Sequence, residues 1–188
     1  MAYAKHLAIP LLCTIMIGCG DGREDRVSAH YPDITTNTST LDISDAKQAT
    51  IVDGDTIKLE FDGKLTTIRL IGIDTFESRN SIKAKAQAYD YGISLEEVIQ
   101  RGQRAKTYIQ AQLSNRVTHY LEYDEDFLDK YKRTLAYVWL SNEVMLNMKI
   151  ICEGYALPLT ISPNDKYAQE FVQCYKDAKA QGLGVWEK

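Results

Sequence analysis

Charged side chains that could take part in chemistry are concentrated in one stretch of the chain, IVDGDTIKLEFDGKLTTIRLIGIDTFE, at residues 51–77. Asp55 lies near its start, Arg69 stands inside an apolar run, and Asp74 and Glu77 follow that run. An acid on an apolar face is costly unless a cation or hydrogen-bond donors meet it. We therefore treat the stretch as a candidate site and expect a positive group beside Asp55.

The elements that must position these charges form a predicted β-hairpin. Ile57, Leu59 and Phe61 recur at every second residue, as on the buried face of a strand, and Asp55 shares their parity. The Asp62-Gly63 pair tolerates positive φ and is typical of the turn into a second strand. The hairpin therefore directs an acid toward its own apolar face.

Arg69 and Asp74 fall on opposite faces of the second strand by parity, so a shared site requires a bend between them. Gly72 is the natural place for it. The alternative is an ordinary hairpin with solvated charges at its ends, which would suit any one of these residues. It fits the whole set poorly, because exposed charges should alternate with the core rather than join it.

Two strings within this stretch and one further along the chain form a recognisable pattern. DGDT at Asp53–Thr56, the arginine in an apolar strand and IDTFE at Ile73–Glu77 resemble the staphylococcal nuclease (thermonuclease) family. DKYKRTLAYVWL, at Asp129–Leu140, is similar to that family's second arginine motif. The resemblance extends from about Ala49 to Trp186, in the family's motif order. It implies an OB-fold barrel and a calcium-dependent nuclease that hydrolyses phosphodiester bonds of DNA or RNA.

The resemblance also implies a set of metal ligands. Asp55, Asp74 and the backbone carbonyl of Thr75 would hold Ca²⁺, a hard cation that accepts oxygen ligands and keeps waters in its shell. Asp53 would support them, or would simply be a turn residue before Gly54.

The catalytic residues implied by the resemblance are Glu77, Arg69 and Arg133. Glu77 would position or deprotonate the attacking water. The two arginines would grip the scissile phosphate with their forked donors and stabilise the charge that builds on its oxygens.

Three places depart from the family pattern. Phe76 stands where proline is usual, and Lys132 stands where a glycine often precedes the second arginine. Pro158, Leu159 and Thr160 lie about where some members carry tyrosines that line the nucleotide pocket.

The N-terminus predicts export. Lys5 precedes an apolar run from Leu7 to Ile17, which fits a secretory signal and is shorter than the roughly 20 residues of a membrane-spanning helix. The run ends in a sequence, Met16–Cys19, that resembles a bacterial lipoprotein signal. We expect residues 1–18 to be removed and Cys19 to be lipidated, which would anchor an extracytoplasmic protein to a membrane. The alternative is an ordinary cleaved signal and a secreted protein.

The rest of the chain predicts a tether and one domain. Residues 19–47 are polar and without periodicity, as a disordered tether would be. Residues 48–188 then form a single domain, since 188 residues bury one core but hardly two. We expect the protein to be a monomer. Ser78–Gly92 is predicted to be a loop whose basic residues touch phosphates or are merely solvated: Arg79, Lys83 and Lys85.

The remaining elements predict an α+β fold. Helical spacing follows the Ser94 cap to Leu113, and further helices are predicted at Val144–Glu153 and Asp165–Gln181. Strands are predicted at Val117–Tyr123 and Tyr131–Leu140. Such an order suggests a small barrel, which the resemblance specifies as a five-stranded antiparallel OB-fold barrel with three helices.

Other metal chemistry fits poorly. An EF-hand loop counted from Asp53 would put Lys58 at its glycine position and Lys64 at its final acidic position. The histidines are scattered, so no zinc site is predicted. Cys152 and Cys174, on two predicted C-terminal helices, are either a disulfide of an exported protein or two buried thiols.

The charge balance argues mildly against a tight nucleic-acid binder. The formal net charge is −4, and loss of Lys5 with the signal takes it to −5. Substrate capture would then depend on a local basic patch and the metal. Two alternatives of other classes follow: a catalytically silent OB-fold module that binds nucleic acid or a protein, and a structural envelope lipoprotein. Neither explains two metal-type acids, a base-type glutamate and two arginines together.

Overall fold

The computed structural model describes residues 42–44, 49–61, 64–114, 119–140 and 144–187. The predicted signal, the lipidation site at Cys19 and the Asp62-Gly63 turn lie outside the described residues. Within those ranges, no helix combines the length and apolar character needed to cross a bilayer.

The described ranges contain eight strands and four α-helices. The strands are β1 (Asp42–Ser44), β2 (Ala49–Asp53), β3 (Thr56–Phe61), β4 (Lys64–Leu70), β5 (Gly72–Asp74), β6 (His119–Glu122), β7 (Thr134–Leu140) and β8 (Leu157–Leu159). The helices are α1 (Ile82–Tyr91), α2 (Leu95–Ser114), α3 (Leu146–Cys152) and α4 (Ala168–Gln181), followed by a short 3₁₀ helix, Gly184–Trp186. Strand β1 lies inside the range predicted as a tether.

The strands form two sheets. Six of them pair in the order β1-β6-β7-β4-β3-β2, and β5 pairs with β8 in a separate ladder. The predicted hairpin is confirmed, because β3 and β4 pair antiparallel with Thr56 opposite Arg69. Strands β4 and β7 are parallel, with Arg69 opposite Leu135, so the six-stranded sheet is mixed. The second arginine motif therefore lies beside the first.

The α+β class is confirmed, but the finer fold prediction is wrong in four respects. The main sheet has six strands rather than five, it is mixed rather than antiparallel, and the helices number four rather than three in the described ranges. Over the same ranges the sheet does not close into the predicted barrel but stays open, with β1 and β2 as its edges. Parallel strands need a long connection between them, and the segment that connects β4 to β7 supplies it because it includes both α1 and α2.

The additional helix, α1, occupies the segment predicted as a loop. The Ser81 hydroxyl caps it by accepting the N–H of Ala84 at 3.0 Å, and Gly92 ends it in the left-handed region at φ 62°. The helix buries only Ala84 and Gln87. A face with one small apolar residue and one amide gives no apolar periodicity, which explains why the sequence pattern did not reveal it.

Two hydrophobic clusters flank the predicted site. The larger one lies under the main sheet and includes Ile57 and Leu59 of the hairpin, both fully buried. The smaller one gathers Phe76 with residues of α1, α2, β8 and the 3₁₀ helix. A disulfide between Cys152 and Cys174 joins α3 to α4, which is one of the two alternatives for these cysteines.

A buried acid, Glu122 on β6, ties the sheet to the start of α4. It accepts the indole N–H of Trp139 at 2.7 Å and the hydroxyl of Tyr167 at 2.9 Å, and it is paired with Lys166. Burial, together with this hydrogen bond to the carboxylate, raises the pKa of Tyr167 well above its ordinary value. The charge of Glu122 is therefore compensated inside the core.

The turn before β7 contains Lys132, one of the residues that depart from the family pattern. Lys132 has φ 62°, a left-handed conformation that favours glycine, and it is the one non-glycine residue of the described ranges with positive φ. Asp129 holds the turn, because its Oδ1 accepts the N–H groups of Tyr131 at 2.8 Å and Arg133 at 2.9 Å. A glycine would suit this position better than the lysine.

Lys132→Gly should therefore stabilise the protein. Relief of the left-handed strain should outweigh the greater freedom of glycine in the unfolded chain, for a net gain of about 0.5–1 kcal/mol. Urea denaturation measures this change. Lys130→Gly, in the same turn without positive φ, is the control and should destabilise the protein. A loss of stability in Lys132→Gly would contradict the assignment of strain.

Candidate active site

A cavity of about 550 Å³ opens where β3, β4, β5 and α1 approach one another. Five of the six residues predicted for the site line it: Asp55, Arg69, Asp74, Glu77 and Arg133. Asp53, Lys58 and Lys83 line it as well. The chain thus brings acids and bases from five separate segments to one concave surface.

Asp55 is paired with Arg69, as its apolar surroundings required. Arg69 Nη2 lies 3.2 Å from Asp55 Oδ2, and both side chains are largely buried. Thr56 donates its hydroxyl to Asp55 Oδ1 at 2.8 Å. The predicted positive group beside the acid is therefore a residue of the same hairpin.

The predicted bend lies at Gly72, which has φ 81°. A Cβ there would come within 2.2 Å of the Phe171 ring, so a side chain is excluded by both conformation and contact. Arg69 stabilises the bend, since its Nη1 donates to the carbonyls of Leu70 at 2.5 Å and Ile73 at 2.8 Å. The bend turns Asp74 toward the cavity that Arg69 lines.

The loop that carries Glu77 is held by Gln87 of α1. The Gln87 amide donates to the Thr75 carbonyl and accepts the backbone N–H of Glu77, each at 2.9 Å. Phe76, between them, is buried in the smaller cluster, with its ring edge-on to Tyr91. A buried amide and a buried ring therefore order this loop, although Phe76 replaces the proline that is usual at this position in the family pattern.

Helix α2 supports the same loop through Gly102. A Cβ on this residue would lie 2.4 Å from the backbone carbonyl carbon and oxygen of Glu77. Any side chain there would push the loop outward. Gly102 therefore sets how closely the Glu77 backbone approaches the helix.

Lys83 lies between two of the acids. Its ammonium is 2.7 Å from Asp74 Oδ1 and 3.1 Å from Glu77 Oε1, and its side chain is 47% exposed. Burial raises the pKa of Asp74 despite this pairing. Burial would lower the pKa of Lys83, but the hydrogen bonds and charges of Asp74 and Glu77 outweigh it and raise that pKa. The pKa values of Asp74 and Lys83 are thus both raised, which indicates that the cavity favours positive charge.

Arg133 is fixed from the opposite wall. Its Nε donates to Asp129 Oδ2 at 2.6 Å, and its Nη1 reaches the Thr56 hydroxyl at 3.3 Å. Burial alone would raise the pKa of Asp129, but hydrogen bonds from Arg133 and the Tyr131 N–H hold it below its usual value. The ion pair therefore keeps the guanidinium at the cavity rim over an ordinary pH range.

Thr75 is the predicted site residue that does not line the cavity. It is buried, and its side chain packs against Gly54, where a Cβ would lie 2.1 Å from Thr75 Oγ1. Its carbonyl oxygen already accepts from Gln87, which leaves a second lone pair for another partner. Asp53 accepts the N–H of Gly54 at 3.0 Å, so it supports the turn at this close contact.

The donor set suits a hard cation. In the described part of the chain, no group of three His, Cys, Asp or Glu side chains is arranged to hold a metal ion. The carboxylates of Asp55 and Asp74 are nevertheless close enough for the charge of Asp55 to raise the pKa of Asp74. Two carboxylates and oxygen-only donors fit Ca²⁺ or Mg²⁺, whose remaining positions water can fill.

A second cavity of about 780 Å³ adjoins the first and shares Arg69, Lys83, Arg133 and Leu159 with it. Its other walls are largely apolar and include Tyr131. The Tyr131 ring is 68% exposed, and the Arg133 guanidinium lies 5.5 Å from its centre. A charged surface and an apolar surface are therefore continuous.

Comparison with known proteins agrees with this geometry. The family model described as staphylococcal nuclease homologue matches residues 67–188, which include Arg69, Asp74, Glu77 and Arg133. The chain belongs to the staphylococcal nuclease family. The membership predicted from the motifs is confirmed.

Several relatives carry names that describe nucleases. The thermonuclease of Staphylococcus intermedius is 38% identical over 138 residues, which cover 73% of each chain. The thermonuclease of Staphylococcus hyicus is 36% identical over 136 residues, which cover 72% of each chain. The SPbeta prophage-derived endonuclease YokF of Bacillus subtilis is 33% identical over 139 residues, 73% of this chain and 42% of that protein.

Sequence reasoning missed several residues that shape the site. Gln87 and Gly102 act through backbone contacts with residues 75–77, and no local pattern marks such a contact. Lys83 was predicted to touch phosphates or be solvated, whereas it is paired with two acids. Recognition of α1 from its Ser81 cap and Gly92 end would have suggested that Lys83 and Gln87 share a face.

Replacement of Gln87 should loosen the loop of residues 75–77. Gln87→Ala leaves the buried Thr75 carbonyl and the Glu77 N–H without this partner, which should cost about 1–3 kcal/mol. Guanidinium denaturation measures the loss. Gln103→Ala, an exposed site on α2, is the control and should stay within about 0.5 kcal/mol of the parent. Equal stabilities of the two variants would show that the amide does not hold the loop.

Proposed function

We propose that this protein is a calcium-dependent nuclease that hydrolyses phosphodiester bonds of DNA and/or RNA. The observation that carries the proposal is the cavity in which Asp55, Arg69, Asp74, Glu77 and Arg133 converge. Relatives named thermonuclease and endonuclease support the reaction class.

The arginines bind the scissile phosphate. Arg69 on β4 and Arg133 in the turn before β7 line the same cavity, and a guanidinium offers a planar fork of donors to phosphate oxygens. Their own ion pairs with Asp55 and Asp129 hold them ready before substrate arrives. As phosphorus becomes five-coordinate, the charge on its oxygens grows and these donors stabilise it.

Glu77 acts on the attacking water. Its carboxylate faces the cavity, and its backbone is fixed by Gln87 and by the close approach of Gly102. A carboxylate held in this way can accept the water proton as the oxygen attacks phosphorus. The fixed backbone limits where that oxygen can lie.

Asp55, Asp74 and the Thr75 carbonyl would hold the metal. Calcium bound there would supply Lewis-acid stabilisation to the phosphate oxygens. The oxygen donors and the raised pKa of Asp74, which burial produces, support a site that gains from a bound cation.

The adjoining apolar cavity suits the base and sugar beside the cleaved phosphate. Its shared residues Arg69 and Arg133 put phosphate-binding groups at its edge. Tyr131 offers an exposed ring on which a base can stack, and stacking tolerates any base. The lining therefore supports hydrolysis with little dependence on sequence.

Glu77→Gln should separate catalysis from folding. It preserves size and removes the base, so turnover should fall on the order of 10²–10⁴-fold. Arg133→Lys keeps the charge but loses the planar fork and should also be severe. Cleavage of single-stranded and duplex DNA and RNA by the purified protein, with Ca²⁺, Mg²⁺ or chelator, measures both. Thermal unfolding checks the fold.

Glu125→Gln, at an exposed acid after β6, is the matched control and should cleave at the parent rate. Parent-level cleavage by Glu77→Gln would remove Glu77 from the site. Full activity in chelator would remove the metal. A folded parent that binds nucleic acid but cleaves none would favour the catalytically silent OB-fold module.

We also infer that the protein is exported, anchored by a lipid on Cys19 and exposed outside the cytoplasm as a monomer. The short apolar run, the Met16–Cys19 sequence and the polar residues 19–47 support the export and the anchor. A single acyl chain anchors a protein only marginally, so the attached lipid should carry more than one chain.

Mass spectrometry of the native protein tests the anchor. We expect the mature chain to begin at Cys19, with a mass increase that matches a lipid. Cys19→Ala should release the protein from the membrane fraction. A soluble product that begins at another residue contradicts the anchor and leaves the nuclease proposal unaffected, because each proposed site residue follows Asp53.

A further inference from the structure

Lys83 lines the cavity and contacts two acids that the nuclease proposal places in the site, but its own contacts have no role in that proposal. Its ammonium lies 2.7 Å from Asp74 Oδ1 and 3.1 Å from Glu77 Oε1, so one cation bridges two carboxylates. Among the described residues, no other side chain forms an ion pair with either acid. The two arginines of the cavity are paired elsewhere, Arg69 with Asp55 and Arg133 with Asp129.

The start of α1 fixes Lys83 in this position. Ser81 accepts the N–H of Ala84 at 3.0 Å and donates its hydroxyl to Glu77 Oε2 at 3.2 Å. Lys83 and Ser81 therefore engage both oxygens of the Glu77 carboxylate. The lysine side chain is 47% exposed, which gives its ammonium a direct route to water.

We propose that Lys83 is an internal counter-cation, which holds Asp74 and Glu77 in the metal-free protein and is displaced when a divalent cation binds. The inference rests on the proposed function, because it concerns the same cation site. It adds a residue that sets the cation affinity of that site without being a ligand.

A cation bound to Asp74 would compete with the Lys83 ammonium for the same carboxylate. A calcium ion lies about 2.3–2.6 Å from its ligand oxygens. Lys83 Nζ already lies 2.7 Å from Asp74 Oδ1, and like charges at such separations repel strongly. The exchange is feasible because the incoming ion brings two charges for one, and because the exposed ammonium regains its hydration.

Displacement also changes Glu77. Loss of Lys83 from the pair releases Oε1, the carboxylate oxygen that the ammonium occupies, so that the attacking water can bind there. The base therefore becomes accessible only when the cation site is filled. One exchange links cation binding to the readiness of the catalytic carboxylate.

Calcium titration of the purified protein by calorimetry, without nucleic acid, tests this exchange. Lys83→Met should lower the calcium dissociation constant about tenfold, which corresponds to about 1.4 kcal/mol. Lys83→Arg keeps the charge and should stay within about twofold of the parent. Lys85→Met, at an exposed lysine on the same helix, is the matched control and should also match the parent.

Thermal unfolding gives a second readout. In chelator, Lys83→Met should unfold at a lower temperature than the parent, because Asp74 and Glu77 lose their cation. Calcium should then raise its unfolding temperature more than it raises that of the parent. If Lys83→Met folds only with calcium, that dependence supports the role, and Lys83→Gln is titrated in its place.

The possible results distinguish the counter-cation role of Lys83 from the proposed calcium dependence. Equal calcium dissociation constants for the parent and Lys83→Met overturn the counter-cation role alone. An equal gain in Lys85→Met also overturns it, because the effect would then follow overall charge. Absence of calcium binding in every protein, the parent included, overturns the proposed metal dependence and the counter-cation role with it.

Discussion

Compensation of buried acidic charge is the constraint on which the cavity depends. Asp55, Asp74 and Glu77 are each less than one-fifth exposed, so none can rely on water alone for solvation. Arg69 compensates the first, and Lys83 compensates the other two. Because each partner comes from another segment, the strands and helix α1 must meet for the charges to be tolerated. The same partners leave the cavity lined with groups that bind anions and cations.

Close backbone contacts give this charge arrangement its geometry. Gly54 admits Thr75, Gly72 admits Phe171, and Gly102 admits the backbone of Glu77, each at a distance that a Cβ would prohibit. Such contacts cannot relax without moving a catalytic candidate. Gln87 then completes the loop through two hydrogen bonds, so Phe76 can serve the smaller core in place of a rigid proline. Rigidity is therefore supplied by tertiary packing.

The helix α1 connects the electrostatic and geometric features. Ser81 starts the helix and contacts Glu77, Lys83 neutralises the acids, and Gln87 holds the loop beneath them. These three residues lie within two turns of one helix, so their spacing is set by helical geometry. An element that buries little apolar surface therefore contributes disproportionately to the site.

The hairpin and most residues of the candidate site could be predicted from the amino-acid sequence. Alternation of apolar residues in β3, an arginine inside β4 and a glycine before Asp74 are local signals, and each led to the observed strand pairing or bend. The contacts between separate elements could be found only in the folded structure. Two of these contacts join segments that are distant in sequence: the parallel pairing of β4 with β7 and the fit of Gly102 against Glu77. A third, the bridge from Lys83 to Asp74 and Glu77, depends on α1, a helix without apolar periodicity. Periodicity records which face a residue occupies within its own element, whereas a contact between elements depends on how their faces pack in three dimensions.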